Sequence, residues 1–184
     1  MKTADELIDC WRDNREAAPS FIFDEAKKIV SGDVGLRNRF EVCLLRMREL
    51  PRREALKLMG LVWPFCWVIS TYRRYLLDYL TDFENIDAMM IPAALEQLSG
   101  MPERFTVYRG CSKINQNGFS WSLRKEIAIA FAHQHQYRRI DQQPLLLTGI
   151  VRRDQVALIL GRSEHEIVAA NVGVLRVSEL PATR

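Results

Sequence analysis

Toward the C-terminus the chain carries Glu164-His165-Glu166-Ile167-Val168, two carboxylates spaced two residues apart. On a strand that spacing puts both glutamates on one face and sends His165 to the other. Carboxylates side by side next to apolar residues repel each other and lose hydration, so the pair is costly unless a cation or substrate needs it. A fixed carboxylate in a water-poor cleft stabilises a positive charge that develops in a transition state, and its neighbour can draw off a proton. The alternative is an edge strand with an ordinary acidic face. Two further elements come earlier in the chain. In Gly118-Phe119-Ser120-Trp121-Ser122, alternation puts Ser120 and Ser122 on one face and Trp121 on the other. Two hydroxyls there can hold a ribose or orient a carboxylate; otherwise Ser122 simply caps the helix that follows. Val107-Tyr108-Arg109-Gly110 ends a strand in an arginine whose planar fork of donors suits phosphate, and the glycine lets a ligand approach the backbone closely.

These residues must be positioned by elements that the apolar pattern outlines. The first hundred residues read as helices. Thr3-Ala4-Asp5-Glu6 is a capping box. Ser20 starts a helix predicted through residue 30, ended by Ser31-Gly32-Asp33. From Leu36 the apolar positions Phe40, Leu44, Leu45 and Met47 recur at helical spacing until Pro51, and further helices are predicted over 67–80 and 92–98. After Pro102 the texture changes. Strands are predicted over 105–108, 118–122, 145–151, 156–160, 164–169 and 172–177. A helix with Leu123, Ile127, Ala130 and Phe131 on one face follows the serines, and 138–143 is a polar loop. The predicted fold class is α+β, with a helical region over 1–100 packing on a core over 101–184 built on an antiparallel-rich sheet.

In their order along the chain, Arg109-Gly110, Ser120-x-Ser122 and Glu164-x-Glu166 resemble the arginine–serine–glutamate class of mono-ADP-ribosyltransferases. The resemblance covers roughly residues 104–178 and includes the alanine-rich, aromatic helix after the serines. It departs at Trp121, where the family usually has threonine, and in the short gap between Arg109 and Ser120. It implies a split antiparallel β-sandwich with an NAD cleft. It also implies Glu166, Glu164 and Ser120 as the catalytic set, with Arg109, Gly110, Ser122, Tyr108, Phe131 and Arg138 contacting NAD. In that scheme Arg109 contacts ribose or phosphates, the backbone at Gly110 binds the nicotinamide amide, and Ser122 supports the nicotinamide ribose. Ser120 holds Glu166 in place. Glu166 binds the ribose 2′-hydroxyl and stabilises the oxocarbenium ion, and Glu164 faces the acceptor. Arg138, or its neighbours Tyr137 and Arg139, falls where the family often places a loop over the phosphates; the alternative is a solvated polar loop. NAD is implied as substrate, and no metal.

Charge is unevenly placed. Residues 1–100 hold 14 Lys and Arg against 16 Asp and Glu, whereas 101–184 hold 12 against 7. A basic second half suits a polyanionic ligand, dinucleotide or nucleic acid, without choosing between them. Arg37, Arg39, Arg46, Arg48, Arg52 and Arg53 alternate with Glu41, Glu49 and Glu54, which reads as a salt-bridged helix face or as a patch for an acidic partner. Cys10, Cys43, Cys66 and Cys111 match neither a disulfide framework nor a zinc pattern. His133 and His135, two apart on a helix, face different ways and exclude a metal pair. The start of the chain lacks a signal-peptide pattern, and its most apolar stretch, 58–69, is broken by Pro64, so the expectation is a cytoplasmic protein with no membrane partner.

The expected activity is transfer of ADP-ribose from NAD to a macromolecular acceptor, as in a toxin or phage-conflict factor. Protein arginine is favoured slightly as acceptor, since Glu164 can receive a guanidinium. RNA or DNA is close behind, because Arg152, Arg153 and Arg162 flank the loop to Glu164. NAD hydrolysis and a non-catalytic binding module are the alternatives. The helical region covers the cleft, recognises the acceptor, or is the surface that an antitoxin or inhibitor grips.

Overall fold

The computed structural model describes residues 20–32, 39–66, 69–134, 143–160 and 165–181. The predicted capping box at 3–6, Cys10, Arg37, Trp67, His135, the loop containing Tyr137, Arg138 and Arg139, and Arg162 and Glu164 lie outside the described residues.

Apolar residues three and four apart build α1 (Ser20–Ser31), whose Ile22, Phe23, Ala26, Ile29 and Val30 are buried. Phe40, Cys43, Leu44 and Met47 do the same for α2 (Arg39–Met47). In α3 (Arg52–Val62) nearly every residue from Ala55 on is buried, which makes it the central helix of the region. Gly60 is required in it. A Cβ there would lie 2.0 Å from the Met89 carbonyl oxygen, so the 3-10 turn Ile86–Met89 rests directly on the helix backbone.

Pro64 ends α3. Its missing N–H and its ring exclude the next α-helical hydrogen bond, and the chain tightens into a 3-10 turn, Trp63–Phe65. The helix expected over 67–80 begins late. Residues Ser70–Tyr72 form a 3-10 turn, and α4 spans Arg73–Leu80. Ile69 and Thr71 are β-branched and favour helix weakly, which accounts for the delay. With Pro92 in its first turn, α5 (Pro92–Ser99) completes the helical region.

Among the described residues six strands follow: β1 (Arg104–Cys111), β2 (Ser120–Ser122), β3 (Leu145–Arg152), β4 (Val156–Leu160), β5 (His165–Ala169) and β6 (Gly173–Glu179). They form one antiparallel sheet in the order β4-β5-β2-β1-β3-β6. β1 pairs with β3 along its whole length, from Arg104↔Arg152 to Cys111↔Leu145. The two three-stranded halves of the sheet, by contrast, meet at a single pair, Tyr108↔Ser122. α6 (Lys125–His133) lies across β1.

One continuous cluster of buried apolar side chains runs from Ile22 in α1 to Ala169 in β5. The helical region and the sheet therefore share a core. Arg153 fastens the join, donating to the carbonyl oxygens of Ser99 at 2.8 Å and Met101 at 2.7 Å. Among the described residues no helix is long and apolar enough to cross a membrane.

Three arginines of the helical region are paired with acids. Arg46 pairs with Glu25 and Glu49, Arg52 with Asp78 and Asp82, and Arg53 with Asp87. Exposed pairs of this kind add little individually, so stability rests on the core. Gly60→Ala is expected to cost at least ~2 kcal/mol, because the atom it would meet is backbone and cannot rotate away. Thermal or urea denaturation checks this; an unchanged midpoint would mean that the turn at 86–89 does not rest on α3.

Candidate active site

Register places the serines and Glu166 together. On β2 and β5, Ser122 lies opposite Glu166 and Ser120 opposite Val168, so Ser120, Ser122 and Glu166 share one face. Trp121 and Ile167 share the other, and Trp121 reaches across β1 toward Gly149 of β3. The Ser120 hydroxyl donates to the Glu166 carboxylate. A second donor comes from the helical region: Trp63 Nε1 lies 2.8 Å from Glu166 Oε1. Trp63 is 1% exposed, and its ring stands edge-on to Phe40, with centroids 5.9 Å apart at 87°.

Arg109 comes to the same place from β1. Its Nη1 donates to the Ser120 carbonyl oxygen at 2.6 Å and its Nη2 to that of Asn115 at 2.8 Å, while Nε is buried with no partner among the described residues. The guanidinium lies so close to Gly118 that a Cβ there would sit 2.0 Å from Nη2, which explains the glycine. Arg73, at the start of α4, donates to the Asn117 carbonyl oxygen and covers the Phe119 ring at 4.7 Å. Arginines from both regions thus hold the turn before β2.

The electrostatics follow from burial. Loss of water raises the Glu166 pKa above its ordinary value, opposed by the hydrogen bonds from Ser120 and Trp63 and by the charge of Arg109. Burial likewise lowers the pKa of Arg109, and the nearby Arg73 charge adds to that, yet a guanidinium stays protonated. Burial pushes the Cys66 thiol up to about 12, with the Glu166 charge adding and the Arg39 charge opposing. Cys111 rises to about 11 for the same first reason. Neither thiol is a thiolate near neutral pH. Among the described residues no group of three or more His, Cys, Asp or Glu is placed to hold a metal ion.

The other predicted residues fall as follows. Ser122 is buried, and its Oγ accepts the Arg124 N–H at 3.0 Å, which ties the hydroxyl to the start of α6. Tyr108 is partly buried opposite Ser122. Gly110 is glycine because α6 needs it, since a Cβ would meet the Ala128 carbonyl oxygen at 1.7 Å and the Ala132 nitrogen at 2.7 Å. The close backbone approach expected of a ligand is there made by a helix. Phe131 sits partly buried on α6. Glu164 and Arg138 lie outside the described residues. Trp63 and Arg73 are the neighbours that sequence reasoning missed. The only signal for Trp63 was a tryptophan in an apolar stretch, whose indole N–H needs an acceptor once buried.

No family model matches the chain, and no curated protein or solved structure matches it either.

A carboxyl whose folded pKa exceeds its unfolded value binds extra protons in the native state. Its contribution to stability is therefore present at acid pH and lost as pH rises through the folded value. Glu166→Gln keeps an oxygen for both donors and removes the partly buried charge. It is expected to melt ~2–5 °C above the wild type at pH 7–8, with the difference shrinking toward pH 4. Melting curves across that range check it, and a variant that melts lower at every pH would show that the charge stabilises the fold.

Proposed function

We propose that the chain is a mono-ADP-ribosyltransferase that cleaves NAD at the nicotinamide–ribose bond and transfers ADP-ribose to a macromolecular acceptor. The observation that carries this reading is the convergence of Arg109, Ser120 and Glu166, drawn from three strands, around one partly buried carboxylate. Nothing in local sequence requires those three to meet, and burying a carboxylate costs stability unless its charge is used. The sheet is read as the split sandwich of that class, its halves joined only at Tyr108↔Ser122.

The chemistry is unimolecular at its hardest point. The bond between ribose C1′ and the nicotinamide nitrogen breaks, the electron pair leaves with neutral nicotinamide, and positive charge develops on the sugar. Glu166, held by Ser120, accepts a hydrogen bond from the ribose 2′-hydroxyl and faces that charge, which it stabilises more in the transition state than in the ground state. Arg109 has a buried Nε in want of an acceptor, as a donor-site phosphate or ribose oxygen would supply. An acceptor nucleophile then bonds to C1′ and gives up its proton, which Glu164 is assigned to receive. NAD is the donor, and no metal is required.

A protein acceptor remains ahead of nucleic acid. Two of the arginines that suggested a polyanion are otherwise engaged: Arg152 pairs with Asp154 at 2.6 Å, and Arg153 holds main-chain carbonyls. A toxin or phage-conflict role in the cytoplasm, with an antitoxin or inhibitor on the helical region, is the setting that fits such an activity.

Incubation with NAD labelled in the adenylate, together with a cell lysate, is expected to give labelled macromolecules that protease removes. Glu166→Ala is expected to lower the rate ~10³-fold or more. Release of nicotinamide with no labelled macromolecule would replace transfer by hydrolysis. Equal labelling by Glu166→Ala and wild type, or no NAD binding by calorimetry, would end the proposal.

A further inference from the structure

We infer that Trp63 is a positioning residue for Glu166, so that the helical region supplies part of the catalytic apparatus; the inference rests on the role proposed above for that carboxylate. The geometry is direct. Trp63 Nε1 and Glu166 Oε1 are 2.8 Å apart across 103 residues of chain. The indole is held in turn: it is fully buried, its backbone is in the 3-10 turn that Pro64 imposes, and the Phe40 ring packs near-perpendicular to it. A rigid donor on a packed element holds its acceptor in one orientation.

The choice of partner also points to function. A buried indole N–H is satisfied by any main-chain carbonyl at no further cost. Here it is given to a carboxylate whose burial is itself unfavourable, an arrangement that fold stability alone does not favour. Indole is a donor only and has no proton to yield. It therefore favours the ionised carboxylate, and unlike a histidine or lysine in its place it cannot protonate Glu166 and silence it. Ser120 holds the same group from β2, so the carboxylate is gripped from the sheet and from the helices at once. Being fully buried, Trp63 orients the group that meets substrate without meeting it.

Trp63→Phe removes the N–H and keeps an aromatic ring. Leu56→Ala, a core change in the same helical region, is the control for lost packing. Trp63→Phe is expected to lower kcat for nicotinamide release about tenfold, with KM for NAD within about twofold. Activity needs Glu166 ionised, and losing the donor raises the carboxyl pKa, so the acid limb of the kcat profile is expected to move to higher pH. The same upward move is expected in the carboxyl titration of Glu166, followed by NMR of 13C-glutamate protein and assigned by its loss in Glu166→Gln. Leu56→Ala is expected to lower the melting temperature and move neither limb nor titration. An unchanged titration and limb in Trp63→Phe, or the same shift in Leu56→Ala, would overturn the inference. Absence of nicotinamide release from the wild type would instead overturn the reading of function, and the positioning role with it, even if the titration moves.

Discussion

A carboxylate partly taken out of water has to be solvated by the protein, and in this molecule that requirement draws the helical region and the sheet to Glu166. Moving an ion of this size into the interior costs several kcal/mol even after relaxation. A hydrogen bond to a charged group returns about 1.5–3 kcal/mol, so one donor is too few and two with a nearby cation come close to balance. Ser120, Trp63 and the charge of Arg109 are that set. Each is held by something further out: Trp63 by Phe40 and by the turn at Pro64, Arg109 by the carbonyls of Asn115 and Ser120, and Ser120 by pairing of β2 with β5.

Close approach of main chain is the second recurring device. Gly60 lets the turn at 86–89 lie on α3, Gly110 lets α6 lie on β1, and Gly118 makes room for the guanidinium of Arg109. In each case an added methyl would meet an atom at 2.0 Å or less. The three glycines together bring helix to helix, helix to sheet, and arginine to turn. The arginines divide in a similar way. Arg46, Arg52, Arg53 and Arg152 pair with carboxylates, whereas Arg73 and Arg109 spend their hydrogen bonds on carbonyls of one turn. Beside Glu166 the Arg109 charge is thus not cancelled by a paired carboxylate, which suits an anionic donor in the proposed reaction.

Much of the fold was legible because it is local. Apolar spacing found α1 and α5 within a residue or two of their ends and found α2 with ends drawn too wide, and five consecutive apolar residues located β4 as it stands. β1 runs further than the expected 105–108 because pairing with β3 carries Arg104 and Arg109-Gly110-Cys111 into the ladder regardless of their own propensity. The late start of α4 is the opposite case, weak helix formers prevailing over an apolar pattern. Gly110 was read as making room for a ligand, and the helix that occupies the room is α6. A glycine announces that something comes close and does not say what.

The shared face of Ser120 and Ser122 followed from the sequence alone, because alternation along a strand is a property of the backbone and needs no partner. So did the α+β class, the basic second half, and the choice of Glu166 as the carboxylate to watch. That Ser122 would stand opposite Glu166, that Arg109 would fold back onto the Ser120 carbonyl, and that a tryptophan 103 residues away would hold the glutamate were decided by tertiary structure. Strand order, register and the docking of helices on a sheet minimise the free energy of the whole chain. The partner of a buried polar group is fixed by which elements pack together, and residue spacing carries no record of it.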